Sequence, residues 1–279
     1  MKYFLFLLVL FSPLRSYAAY FTNFEEAQKV ALASNKLMLV DFTRSWCAPT
    51  TKPMGLCTLN LGDQNKVFQE YVFVQVDHQT ISYYFKNFDF KISPEIFIID
   101  ANAKYIHSFS GFLDEKSMNI ELEKFALSTD FLFNELFSYY KSKNYNTALR
   151  VYQKYLDYSL LVDKNIKSYF ITLANLYFQD AKEKLEKKDL EYEEKNQKLN
   201  LFKLYQLVYN HDLESIEKKL NKIKRQNIKE GNINIFYFLK YIVAKGLQNQ
   251  NLNEIEIEIA KFEDFDYFKD KADFILSRK

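Results

Sequence analysis

The chain changes its hydrophobic rhythm once. Up to about residue 128, short apolar runs alternate with stretches of helical period; beyond it the helical period continues and the apolar runs stop. Residues 23–34, "NFEEAQKVALAS", place Phe24, Ala27, Val30 and Ala31 on one face of an amphipathic helix. "KLMLVDF" (36–42) is an unbroken apolar run, suited to a strand covered on both faces. "DQNKVFQEY" (63–71) predicts a helix, and "VFVQVD" (72–77) a second buried strand. "EIFIID" and "YIHSFSGF" predict two further strands joined by the polar turn "ANAK", and a helix is expected from Asp114 to Ser128. Helix, strand, helix, strand, hairpin and helix is the order of a layered α/β domain.

The remaining residues read as helices of similar length separated by turn signals at "KNYN", "LVDKN", "YNHD" and "KEGN". That pattern predicts an all-α array of helical hairpins. The run "AKEKLEKKDLEYEEKNQK" (181–198) mixes charges at helical spacing, as a solvated helix face or an exposed connection does. The expected organisation is an α/β domain over 19–128 and a helical domain over 129–279, with no low-complexity linker between them.

Residues 1–18 stand apart. Lys2 precedes an apolar run over 3–11, Ser12-Pro13 ends it, and Ser16 and Ala18 are small residues at the positions a signal peptidase inspects. The run is well short of the ~20 residues that span a bilayer. We expect export with cleavage after Ala18, to a periplasmic or secreted location, and no membrane span in the mature chain. The formal net charge of +2 falls to zero without Lys2 and Arg15, which removes an electrostatic case for nucleic acid. The abundance of Phe, Tyr, Lys, Asn and Ile reads as codon bias rather than as base-stacking surface.

Candidate chemistry concentrates in "VDFTRSWCAPTTKP" (40–53), where Cys47 follows a strand at the start of a short predicted helix. The three histidines, His78, His107 and His211, are scattered without metal-ligand spacing and read as strand-end or surface residues. There is no Gly-rich phosphate loop and no G-x-S-x-G elbow, so neither cofactor nor metal is expected. The other cysteine, Cys57, would lie ~15 Å from Cys47 along a continuous helix, beyond the ~7 Å reach of a disulfide. A bond between them requires the helix to break, which Pro53 and Gly55 would allow. A buried free thiol is the preferred reading of Cys57.

Residues 36–125 resemble the thioredoxin fold. "LVDFTRSWCAPT" is similar to that family's active-site strand and turn, with Asp41, Trp46, Cys47 and Pro49 at matching positions. "ISPEIFIID" resembles the segment carrying the family's cis-proline, here Pro94 preceded by Ser93, and Gly111 matches a glycine of the following hairpin. The resemblance implies a thiol site in which Cys47 attacks and Trp46, Pro49, Thr50, Ser93 and Pro94 border the substrate strand; Asp41 matches the buried acid that moves protons around the family's second cysteine, and without that cysteine it either stays as a buried, hydrogen-bonded polar group or activates Cys47 or a water. A cysteine at a helix N-terminus faces unpaired amide hydrogens and the positive end of the helix dipole, which favours its thiolate. The departure is Thr50, which occupies the place of the family's second, resolving cysteine. Cys47 can then form a mixed disulfide but cannot release it internally.

"LFNELFSYYKSKNYNTALRVYQKYL" (132–156) is similar to one tetratricopeptide repeat, with Leu132, Tyr139, Tyr145, Ala148 and Tyr152 on pattern positions. Leu136 and Tyr155 depart from it, standing where small residues are usual. Two functions follow. One is a monothiol oxidoreductase or isomerase acting on exported or periplasmic proteins, with an external thiol resolving the mixed disulfide. The other is a redox-inactive binding module, a chaperone or scaffold, in which the sulfur is incidental.

Overall fold

A computed structural model describes residues 20–42, 66–76, 95–110 and 115–278. Among them the first helix, α1 (Phe24–Ser34), is closed at both ends by asparagines. The Asn23 side chain accepts from the amides of Glu25 and Glu26 at 3.0 and 3.2 Å, and Asn35 ends the helix in the left-handed conformation. The buried face is Phe24, Ala27, Gln28, Ala31 and Leu32. Val30, expected on that face, is 36% exposed. At about 100° per residue it falls roughly 130° from the middle of the stripe, whereas Gln28 and Leu32 fall inside it.

The strands of this region are β1 (Tyr20–Phe21), β2 (Leu37–Phe42), β3 (Tyr71–Val76), β4 (Glu95–Ile99) and β5 (Tyr105–Ser110). They form one mixed sheet in the order β1-β3-β2-β4-β5. β3 runs parallel to β1 and β2, while β4 runs antiparallel to both β2 and β5. β2 is central: Leu37, Met38, Leu39 and Val40 are all essentially inaccessible to solvent, as the unbroken apolar run requires of a strand covered on both faces.

The β4–β5 turn is held by Asp100, whose carboxylate accepts from the amides of Asn102 and Lys104, both at 2.9 Å. The turn places Ala103 at φ 63°, a conformation that costs an alanine energy and that these bonds offset. The Gln28 amide donates to Ala101 O at 3.0 Å, joining α1 to the turn.

Two expected helices are shorter than the pattern implied. Within 63–71 the described residues form a single 3₁₀ turn, Lys66–Glu70, and Tyr71 belongs to β3. Only Phe68 in that turn is buried, and residues 63–65 lie outside the described residues. Tyr71 OH donates to Leu122 O at 2.5 Å, on α2 (Glu115–Phe125). That helix stops before Ser128 because the chain turns: the Leu127 amide bonds back to Phe125 O and the Thr129 amide to Asn35 O.

The chain divides into compact units Met1–Tyr140 and Lys141–Lys279, beyond the Ser128 boundary drawn from sequence. The bonds explain the difference. Thr129 and Asp130 bond to Asn35, and the Asn102 amide donates to Leu136 O at 3.2 Å on α3 (Phe133–Lys141), so this stretch is tied to the sheet domain.

The second unit is helical, with no strand among its described residues. It contains α4 (Tyr145–Tyr158), α5 (Lys167–Glu183), α6 (Tyr192–Tyr209), α7 (Leu213–Leu220), α8 (Ile233–Leu247), α9 (Leu252–Ile259) and α10 (Phe265–Ser277). Asn144 and Thr147 open α4 with a reciprocal capping box. Tyr155, bulky where a small residue was expected by resemblance, is fully buried and stacks on Tyr177 of α5 at 5.7 Å between ring centres. The charged run 181–198 covers the end of α5, the connection and the start of α6, where Lys195 pairs with Asp189 and Glu191.

One polar cluster joins three of these helices. Asp157 on α4 accepts from Tyr209 OH of α6 and from Lys271 Nζ of α10, the latter at 2.9 Å. Tyr209 OH also lies 3.3 Å from Tyr205 OH, and Lys271 sits over the Tyr205 ring. Burial pushes the Tyr205 hydroxyl up to about 12, against the pull of Lys271. Burial alone would lower Lys271, but Tyr205, Asp157 and Tyr267 outweigh it and hold the ammonium well above its ordinary range. The two charged side chains are only 13% and 23% exposed, so removing one strands the other. Asp157→Ala should destabilise the chain by about 3 kcal/mol in urea unfolding. The double variant Asp157→Ala/Lys271→Met should lose clearly less than the single one. Equal losses would mean that the pair does not act as a pair.

Candidate functional site

The segment expected from sequence to carry the site follows β2 in the chain. The strand starts at Leu37, after Asn35 has reversed the chain out of α1, and its apolar residues are locked between β3 and β4. Phe42, its last residue, is in register with Val76 on β3 and with Glu95 on β4. Paired residues on adjacent antiparallel strands lie about 4.5–5.5 Å apart at Cα. Thus Phe42, the last described residue before the cysteine motif, and Glu95, the first described residue after Ser93-Pro94, stand opposite each other on neighbouring strands.

Asp41 is the site residue whose surroundings the structure describes. It is a buried carboxyl, 2% exposed, within a strand otherwise made of apolar residues. Its register partners are Gln75 and Ile96. Burial pushes its carboxyl up from an ordinary 3.8 to about 6. Such a group takes up and gives back a proton near neutral pH, as an acid–base residue must. Trp46, Cys47, Pro49, Thr50, Ser93 and Pro94 lie outside the described residues, as do Cys57, His78 and Gly111.

His107 is not at a strand end. It sits inside β5, half-buried, stacked on Phe125 of α2 at 5.1 Å, and burial lowers its pKa despite the opposing charge of Glu121. His211 follows α6 in the left-handed conformation, its Nε2 3.1 Å from Arg278 O. Among the described residues no group of three or more His, Cys, Asp or Glu side chains is placed to hold a metal ion. No helix among them is long and apolar enough to cross a membrane.

No protein-family model matches the chain, and no curated protein sequence matches it.

The Asp157–Lys271 cluster of the second unit was not anticipated. Its members are 114 positions apart, and each alone reads as an ordinary surface charge on a helix. The only local signal is the pair of tyrosines, Tyr205 and Tyr209, one turn apart on a face that is otherwise apolar.

The elevated Asp41 carboxyl fixes a pH dependence. Folding raises its pKa, so its stabilising effect is complete below about pH 4 and is lost as pH rises through about 6. Asp41→Asn, neutral throughout, should therefore exceed the wild type in stability by about 3 kcal/mol at pH 8 and nearly match it at pH 4. Urea unfolding at the two pH values checks this. A gain independent of pH would contradict a buried, ionised Asp41.

Proposed function

We propose that the first unit is a thioredoxin-like domain whose monothiol site, Cys47, exchanges disulfides with exported proteins. The observation that carries this reading is the pairing of Phe42 with Glu95 in a sheet ordered β1-β3-β2-β4-β5. That pairing brings the strand leading to Trp46-Cys47-Ala48-Pro49 beside the strand that follows Ser93-Pro94. Asp41, buried at the base of the same strand end, supports the reading as a proton-transfer group. The second unit, a succession of paired helices, supports a tetratricopeptide-like array that would engage or position the client.

The chemistry proceeds in balanced steps. The Cys47 thiolate attacks one sulfur of a client disulfide; that S–S bond breaks, a mixed disulfide forms, and the departing client thiolate takes up a proton. An external thiolate then attacks the Cys47 sulfur, releasing the second client thiol. A second external thiol frees Cys47, and the external thiol pair leaves as its own disulfide. The client gains two electrons and the external thiols lose them.

Thr50 favours a second reading, in which the groove holds a client without redox turnover, because threonine has no sulfur to resolve the intermediate. The two readings separate in an insulin-reduction assay with a supplied thiol. The wild type, which must wait for an external thiol at each turnover, should reduce insulin only slightly faster than the supplied thiol alone, a margin that Cys47→Ser removes, and Thr50→Cys should rise clearly above it, since only the resolving sulfur is new. No margin over Cys47→Ser, together with no gain in a well-folded Thr50→Cys variant, would refute the redox reading and leave the holding module. High wild-type activity that Cys57→Ser abolishes would mean that Cys57, rather than the external thiol, resolves the intermediate.

A further inference from the structure

We infer that the helical unit carries a binding pocket for a small aromatic carboxylate, independent of Cys47. A cavity of about 230 Å³ opens between α6, α8 and α10. An apolar cavity of about 150 Å³ is large enough for benzene, so this one has room for a single ring with a short acid arm.

Its floor is aromatic. Phe202 and Tyr205 meet edge to face at 5.6 Å; Phe238 lies 5.6 Å from Tyr205, and Phe268 5.5 Å from Phe238. Phe202, Tyr205 and Phe238 are nearly inaccessible apart from this opening, at 1–3% exposure. Rings in offset and edge arrangements leave faces and edges onto which a further ring packs favourably.

The polar groups at the cavity are not equivalent. Lys271 is already neutralised by Asp157. Lys198, half-buried on α6, also lines the cavity and carries no salt bridge or side-chain hydrogen bond among the described residues. Asp264 stands at the rim, exposed, where water and salt screen its charge. The unbalanced, less hydrated charge is therefore the ammonium of Lys198, and a carboxylate is its complement. The lining is mixed: Gln153 and Asn234 stand with the charged groups beside the rings, so that a ligand carrying both a ring and a polar arm finds partners for each.

The test uses the full chain and 3-phenylpropanoate as probe, followed by ligand-observed NMR and calorimetry. For a ligand of this size a Kd of about 1 mM or tighter is expected. The amine of the same skeleton, 3-phenylpropylamine, should bind at least about fivefold more weakly. Lys198→Gln, at a half-exposed position, should weaken the acid about fivefold or more while leaving the circular dichroism spectrum unchanged. Ile235→Trp, which fills the cavity from α8, should abolish binding. Absence of acid binding at 10-fold that concentration, equal affinity for acid and amine, or acid binding unaffected by Lys198→Gln would each overturn the assignment. Undiminished binding to a folded Ile235→Trp protein would overturn it as well, by placing the ligand elsewhere.

Discussion

Everything proposed for the first unit depends on β2 being covered on both faces and paired along both edges. Four consecutive side chains, Leu37 to Val40, are removed from water there. Burying each is worth about 1.5–3 kcal/mol relative to exposure, so register is strongly specified. A slip by one residue would move Asp41 to the opposite face of the sheet and break its alignment with Gln75 and Ile96. The same register fixes Phe42 opposite Glu95, the described residues that adjoin the two segments carrying the candidate chemistry. A carboxyl inside such a strand costs stability above its pKa, so its presence at the end of the strand is the kind of local cost that accompanies function.

The helical unit solves a different problem. Its composition offers many tyrosines and few glycines, and the large rings that fill its core carry hydroxyls that need partners. Tyr152 OH finds Phe202 O at 2.8 Å, Tyr145 OH finds Lys195 O at 2.9 Å, and Tyr209 OH finds Asp157. Each of these bonds links α4 to α6. Aromatic burial thus supplies both the apolar contact and the polar links between helices, and the ring-lined cavity is a product of the same packing.

What was legible in the sequence follows from where the information sits. β2, β3 and β4 were legible because burial on both faces writes a continuous apolar run; β5, where only Ile106 and Phe109 are buried among the described side chains, was legible because it follows the polar turn "ANAK". Val30 misled because valine is apolar wherever it stands, whereas Gln28 is buried through its bond to Ala101 O, a partner 73 residues away. The extent of the sheet unit to Tyr140 rests on such long-range bonds too, Thr129 to Asn35 and Asn102 to Leu136. Asp41 was singled out only by its resemblance to a position of the thioredoxin active-site strand; the hydrophobic pattern passed over it as part of an apolar run. Its elevated pKa was not legible, since that depends on burial supplied by the neighbouring strands. The Asp157–Lys271 cluster left one local trace, the tyrosines Tyr205 and Tyr209 one turn apart on an otherwise apolar face.

The central claim is that Cys47 is a reactive thiol placed by the β2–β4 register. It is tested most directly by the pH dependence of iodoacetamide alkylation of Cys47 in a Cys57→Ser background, with the labelled peptide identified by mass. The account predicts a thiol titrating well below the ordinary value of about 8.5, within the range of about 3.5–7.5 found for activated cysteines. A Cys47 that titrates at or above 8.5, or that resists alkylation in the folded protein, would contradict it.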